Sequence, residues 1–249
     1  ERYNGNAGYG RAKMPTVKVN DINMYYELYG HGEPIVLIPG LASDLSDNAF
    51  ITRRLSQKFR VLALDNRGAG RSDKPDAPYT IEQMADDAAA LMDAAGVERA
   101  HVIGISMGGR IAMALALRHP DRVSSLVLVS TFARQAAGSV DRVRRLNTIN
   151  RIPVIRSLLS RYPQPPYAFE RQLTASRGYD CSARLAEIRV PALVLHGRDD
   201  KIAPLALAEE LHAGIPGSQM VAFPGGHSFF WRSADRFCNA VIDFLSAVK

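Results

Sequence analysis

Short apolar runs alternate with longer helical patterns along most of this 249-residue chain. Residues 35–38, 61–64, 101–105, 123–129 and 192–195 are runs dominated by apolar side chains, the pattern of strands covered on both faces. Residues 16–19 and 22–29 are rich in β-formers on either side of Asn20-Asp21 and read as a hairpin, and 219–223 reads as a last strand. Between these runs, apolar residues recur at helical spacing over 48–58, 81–95, 107–118, 205–212 and 234–248, with Gly96 and His119-Pro120 as stop signals. Doubly buried strands alternating with helices predict an α/β fold. Its central sheet would be mostly parallel, with helices on both faces and an antiparallel edge from the opening hairpin.

The rhythm breaks over residues 133–180, which carry Pro153, Pro163, Pro165 and Pro166 and little strand signal. This stretch is expected to be a short helical cap inserted between two strands of a core formed by 14–132 and 181–249. The charge pattern sharpens that expectation. The chain has 31 basic and 25 acidic residues, net +6, and residues 132–180 hold nine arginines against three carboxylates, so the whole excess lies there. Such a stretch is either a solvated arginine face or a surface attracting an anionic substrate or an acidic carrier protein. Residues 1–13 are polar and Gly-rich and are expected to be a leader or tag remnant. Cys181 and Cys238 lack metal-ligand spacing and are expected to be buried thiols, with a disulfide left open and a reducing cytoplasm the default location. No apolar run approaches the roughly 20 residues of a membrane span. No Gly-rich phosphate loop, metal cluster or nucleic-acid module is present, so no cofactor, metal, membrane or nucleic-acid partner is expected.

The candidate chemistry starts at Gly104-Ile105-Ser106-Met107-Gly108, directly after a strand and directly before a helix. A sharp strand-to-helix turn with small neighbours lifts a serine hydroxyl off the sheet and aims the first free helix N–H groups at the same spot. A serine hydroxyl needs a base. Of the six histidines, His31, His101, His119, His196 and His212 sit at positions with ordinary structural readings. His227 follows Pro224-Gly225-Gly226 after the last strand, at the carboxyl edge of the sheet where such a base belongs. An imidazole base needs a carboxylate to fix its tautomer. Asp199 and Asp200 both follow a strand; Asp200 is preferred as that carboxylate, with Asp199 as the alternative. Oxyanion donors are expected from the backbone N–H groups of Met107 and Leu41. Gly40 lets the Leu41 loop approach closely. Gly40, Ala42 and Ser43 border the site, and Phe229, with Phe230 and Trp231, either lines an acyl pocket or packs in the core.

These motifs resemble the α/β-hydrolase superfamily in its esterase and lactonase-like branch. "GISMGG" is similar to that family's nucleophile elbow and "LDNRGAGRSD" to its turn after the fourth strand. "RLAEIRVPALVLHGRDDKIAP" is similar to the approach to its acid, and "PGGHSFF" to its histidine loop. The resemblance spans residues 17–248. It implies a Ser106–Asp200–His227 triad without a cofactor, and it reads Asp65, Arg67, Gly68, Gly70 and Ser72 as shaping a turn. Two features depart from the family: Pro39-Gly40 stands where His-Gly is usual, and the cap is short, which implies an open site or one completed by a partner chain. Ser106 argues against the dehalogenases and epoxide hydrolases of the fold, which use aspartate there. The expected activity is hydrolysis of small carboxylic esters. The alternatives are a thioesterase or esterase for carrier-bound or carboxylate-bearing acyl groups, a C–C hydrolase, a cofactor-free haloperoxidase or perhydrolase, and a non-enzymatic ligand-binding member of the fold.

Overall fold

The computed structural model describes residues 16–135 and 162–248. Eight strands form one sheet: β1 (Thr16–Val19), β2 (Ile22–Tyr29), β3 (Pro34–Ile38), β4 (Arg60–Leu64), β5 (Ala100–Ile105), β6 (Val123–Val129), β7 (Ala192–Gly197) and β8 (Gln219–Phe223), in the order β1-β2-β4-β3-β5-β6-β7-β8. The β1–β2 and β2–β4 pairs are antiparallel and all later pairs are parallel. The helices are α1 (Ala49–Leu55), α2 (Ile81–Ala94), α3 (Met107–Arg118), α4 (Pro166–Gly178), α5 (Leu205–Gly214), α6 (Phe229–Arg232) and α7 (Ala234–Ala247).

Alternation along the strands divides the core in two. Val36, Ile38, Leu62, Leu64, Val102, Leu126 and Leu128 face one layer with residues of α2, α3 and α5. Ile35, Leu37, Val61, Ile103, Val127 and Val129 face the other, with residues of α1 and α7. This is why these strands read as continuous apolar runs: both side-chain faces are covered. From β3 the chain moves through α1 toward the β1 edge, and from β5 it moves through α3 toward the β8 edge. The loops after β3 and β5 therefore flank a crevice at the carboxyl ends of the strands.

The helix expected over 48–58 is shorter and starts differently. A 3-10 turn, Leu45–Asn48, precedes α1; Asp44 caps it by accepting the Ser46 N–H, and Asp47 answers with a bond to the Asp44 N–H. The chain leaves the helix after Leu55 so that Phe59 can enter the core.

The turn after β4 is built on two buried ionic centres. Asp65 accepts the N–H groups of Leu45 and Arg71, each at 2.8 Å, and the Ser72 hydroxyl donates to the Asp65 carbonyl. Arg67 is buried between Asp87 (2.8 Å) and Asp21, which ties the hairpin turn to α2. Between β6 and β7, the N–H of Cys181 donates to the carbonyl of Ala133, so the inserted segment leaves and re-enters at one point. Arg110 of α3 lies buried at that joint, stacked on Phe132, and it donates to the Tyr179 carbonyl. Burial pulls its pKa down to about 10. Of the segment expected to be a cap, residues 136–161 lie outside the described residues, as do residues 1–15.

Cys181 and Cys238 are free and buried, and burial raises both thiol pKa values, that of Cys238 to about 11. No helix among the described residues is long and apolar enough to cross a membrane.

Candidate active site

Ser106 occupies the turn between β5 and α3 with φ +55 and ψ −116, a backbone state that a residue with a Cβ rarely adopts. The crowded packing around the turn holds it there. A Cβ on Gly104 would overlap the backbone of Gly108 and Gly109. One on Gly108 would overlap the carbonyl of Ile38, and one on Gly109 would meet the Thr131 side chain at about 2.5 Å. The Ser106 N–H donates to the Val129 carbonyl at 2.8 Å and the Thr131 hydroxyl donates to the Ser106 carbonyl at 2.7 Å. The serine side chain makes no cap hydrogen bond to its own helix, which leaves its hydroxyl for another partner.

That partner is His227: Ser106 Oγ lies 3.0 Å from His227 Nε2. On the other side of the ring, Nδ1 lies 2.7 Å from Asp200 Oδ2. With Nδ1–H donating to the carboxylate, Nε2 is left as an acceptor for the serine proton. Asp200 is buried, and its Oδ1 accepts the N–H groups of Ile202 (2.8 Å) and Ala203 (2.9 Å). Asp199 does different work: its N–H donates to the Gly225 carbonyl at 2.9 Å, and its carboxylate accepts the Gly225 N–H at 3.3 Å. It joins the aspartate loop to the histidine loop and does not reach the imidazole.

Two further side chains at this end of the sheet hold the histidine and aspartate loops. Ser130, at the end of β6, donates to the His227 carbonyl at 2.7 Å and so fixes the histidine's backbone. His196 is fully buried at the end of β7, with Nε2 2.7 Å from the Ala203 carbonyl and 3.4 Å from Asp200 Oδ2. Burial lowers its pKa below the ordinary 6.5, and it sits neutral under the aspartate loop.

Of the two residues expected to give oxyanion donors, Met107 follows the serine directly and Leu41 follows Gly40, which packs against the Ser106 turn. Met107 is the first residue of α3, so its N–H has no partner inside the helix. Gly40 packs against the elbow so closely that a Cβ there would sit 3.3 Å from the Ile105 carbonyl and 3.4 Å from Ser106 Cβ. The turn that carries Leu41 is therefore in contact with the Ser106 turn. The Ala42 N–H is directed elsewhere, to Gln172 Oε1 at 3.1 Å. Gln172 lies on α4, 130 residues away in sequence, and no sequence pattern links the two.

Phe229 takes the second of its two expected roles. It is 2% exposed, stacks on Phe223 with centroids 4.7 Å apart, and meets Phe230 and Phe237 edge-on, so it packs in the core. Phe230 is buried beside it and Trp231 is exposed. Among the described residues no three His, Cys, Asp or Glu side chains are grouped as metal ligands. Of the arginines counted in the inserted segment, Arg134 pairs with Glu210 and Arg171 with Asp76 at the surface. Arg142, Arg144, Arg145, Arg151, Arg156 and Arg161 lie outside the described residues.

Comparison with known proteins gives the same fold. A family model described as the alpha/beta hydrolase fold matches residues 33–149. The chain is 32% identical to a putative carbamate hydrolase, RutD, of Azorhizobium caulinodans, over 94% of this chain and 99% of the relative. It is 33% identical to the enol-lactonase of Burkholderia xenovorans, over 93% of this chain and all of that one, with a TM-score of 0.81. A thermophilic esterase from Thermogutta terrifontis is 29% identical over 96% and 98% of the two chains, with a TM-score of 0.79. The sheet order, the strained serine between β5 and α3, and likeness over nearly the whole length of proteins named as hydrolases lead to one assignment: the chain belongs to the α/β-hydrolase superfamily.

Proposed function

We propose that the protein is a serine hydrolase that cleaves carboxylic esters through an acyl-enzyme on Ser106. The observation that carries this reading is the unbroken hydrogen-bonded line Asp200–His227–Ser106, at 2.7 and 3.0 Å. Ser106 Oγ attacks the acyl carbonyl while His227 Nε2 takes its proton, and Asp200 stabilises the imidazolium that forms. The N–H groups of Leu41 and Met107 hold the oxyanion. Collapse of the tetrahedral species breaks the carbonyl–alkoxide bond, and His227 returns the proton to the leaving alcohol. Water then repeats the sequence with His227 as base and releases the acid.

The substrate class follows from the acyl chemistry and the relatives: small carboxylic esters first, with lactones and carbamates as close variants, since relatives named for lactone, carbamate and ester hydrolysis share the fold. The arginine excess at 132–180 supports a narrower second reading, an anionic acyl substrate or one presented on an acidic carrier protein. The two free, buried thiols are compatible with a reducing cytoplasm.

The test is a panel of p-nitrophenyl esters, lactones, aryl carbamates and acyl thioesters, assayed at low and high salt. Ester turnover is expected, falling at least about 10³-fold in Ser106→Ala. Near-wild-type turnover by that variant contradicts the reading. A steep loss of kcat/KM with salt, confined to anionic substrates, supports the narrower one.

A further inference from the structure

Among the described residues two arginines are buried, Arg67 and Arg110, and only the first is neutralised. Arg67 holds the carboxylates of Asp21 and Asp87. Arg110 pairs with no carboxylate among the described residues. Its Nη2 donates to the Tyr179 carbonyl, while Nε and Nη1, both shut off from solvent, have no hydrogen-bond partner. Asp180 acts on it only through space, because its carboxylate accepts the N–H and the hydroxyl of Ser182. The Phe132 and Tyr179 rings lie 4.6 and 5.5 Å from the guanidinium carbon. They ease the burial of the charge but are no substitute for an acceptor oxygen. A buried guanidinium with unmade hydrogen bonds costs stability, and holding one carbonyl would need only a neutral donor.

The place of this charge suggests what it meets. Arg110 is the fourth residue of α3, whose cap is Ser106, so it stands one turn, about 6 Å, further along the axis. A long side chain on a helix leans back toward the N-terminus, here toward the serine. Phe132 follows Thr131, whose hydroxyl holds the Ser106 carbonyl at 2.7 Å. The Phe132 ring meets the Arg110 guanidinium and also packs with Ala203 and Leu207, in a small cluster apart from the two main cores. Ala203 in turn donates its N–H to the Asp200 carboxylate at 2.9 Å. One ring therefore bridges the unpaired guanidinium and the aspartate loop of the site.

We infer that Arg110 is a carboxylate-binding subsite for the acyl group of the substrate, covered by Phe132 until that ring turns aside. The acid end of a short dicarboxylic half-ester, or of a lactone bearing a carboxylate, takes two N–H groups along one edge of the guanidinium. Its ester carbonyl then reaches Ser106. The planar guanidinium suits this two-point contact, and the bound acid supplies the counter-charge that the empty site lacks. The inference deepens the serine-hydrolase reading and rests on it.

The test uses the full chain and follows, by proton release, the hydrolysis of monoethyl glutarate and of ethyl pentanoate, two esters with acyl chains of equal length. The wild-type protein is expected to favour the acid ester at least about tenfold in kcat/KM. Arg110→Met, which keeps an unbranched apolar side chain at the position, is expected to lower that preference about 30- to 100-fold. Free glutarate is expected to raise the melting temperature of Ser106→Ala, in which no turnover intervenes, and to leave that of the Ser106→Ala, Arg110→Met double variant unchanged. A preference that survives in Arg110→Met makes the arginine a structural clamp and overturns the inference. So does a wild-type protein that treats the two esters alike, or a melting temperature that glutarate does not raise, and neither result depends on Arg110→Met folding. A wild-type protein that hydrolyses neither ester and whose Ser106 takes no fluorophosphonate overturns the serine-hydrolase reading itself, and the glutarate shift then still decides whether Arg110 binds an acid.

Discussion

Asp199 and Asp200 are neighbours with the same side chain, and only the second reaches the histidine. Asp200 turns inward, takes two backbone N–H groups on one oxygen and His227 on the other, while Asp199 braces the loop through Gly225. On the proposed mechanism, Asp200→Asn leaves the ring without its carboxylate partner and allows the wrong tautomer, so kcat is expected to fall about 10³- to 10⁴-fold. Asp199→Asn keeps an acceptor for Gly225 and is expected to stay within about threefold of wild type. Steady-state kinetics on the two variants check this, and equal losses would reverse the assignment. Ser106, Asp200 and His227 were legible because each sits in a local motif at a strand end. Gln172 and Ser130 were not: each acts on backbone far away in sequence, and an isolated glutamine or serine gives no periodic or turn signal. Phe229 was ambiguous because an aromatic after the histidine loop looks the same whether it meets a ligand or, as here, Phe223.

At the scale of elements, two glycines separate close packing from open space. A Cβ on Gly108 at the start of α3 would overlap the Ile38 carbonyl and approach that of Pro39 within 2.7 Å, because elbow and β3 pack backbone to backbone. Gly178 ends α4 with nothing within 4 Å of the added atom and no positive φ. Gly108→Ala is therefore expected to cost about 2–3 kcal/mol or to prevent folding, whereas Gly178→Ala is expected to stabilise by about 0.5–1 kcal/mol by restricting the unfolded chain. Urea titrations of both variants decide the matter; similar effects would contradict the packing described here. The strands were the most legible elements, since burial on both faces writes itself as an unbroken apolar run. The start of α1 was not, because a 3-10 turn capped by Asp44 replaces the first helical turn and its apolar spacing is the same.

The whole molecule carries two buried imidazoles at opposite ends of the sheet, His101 at the start of β5 and His196 at the end of β7. Desolvation lowers both pKa values below the ordinary 6.5. The unfolded chain therefore binds protons that the folded one refuses, so stability is complete above about pH 6.5 and is lost as pH falls from there toward the folded pKa values. Each imidazole adds a slope of up to about 1.4 kcal/mol per pH unit in that window. His101→Gln, remote from the site, is expected to flatten the decline in unfolding free energy between about pH 6.5 and 5; an unchanged slope would show that His101 is protonated in the folded state. At this scale the sequence indicated an α/β sheet and an inserted segment. The strand order and the clamp of α4 on the Leu41 turn depend on contacts between distant parts of the chain, which local pattern does not encode.

The central claim is that Ser106 becomes acylated. Rapid mixing of the protein with p-nitrophenyl acetate, followed by acid quench and peptide mass analysis, tests it most directly. The expected result is a burst of p-nitrophenol of about one equivalent per chain, with an acetyl group on the peptide bearing Ser106, and loss of both in Ser106→Ala. Turnover with no burst and no acyl group on Ser106, or an adduct that persists in Ser106→Ala, would contradict it.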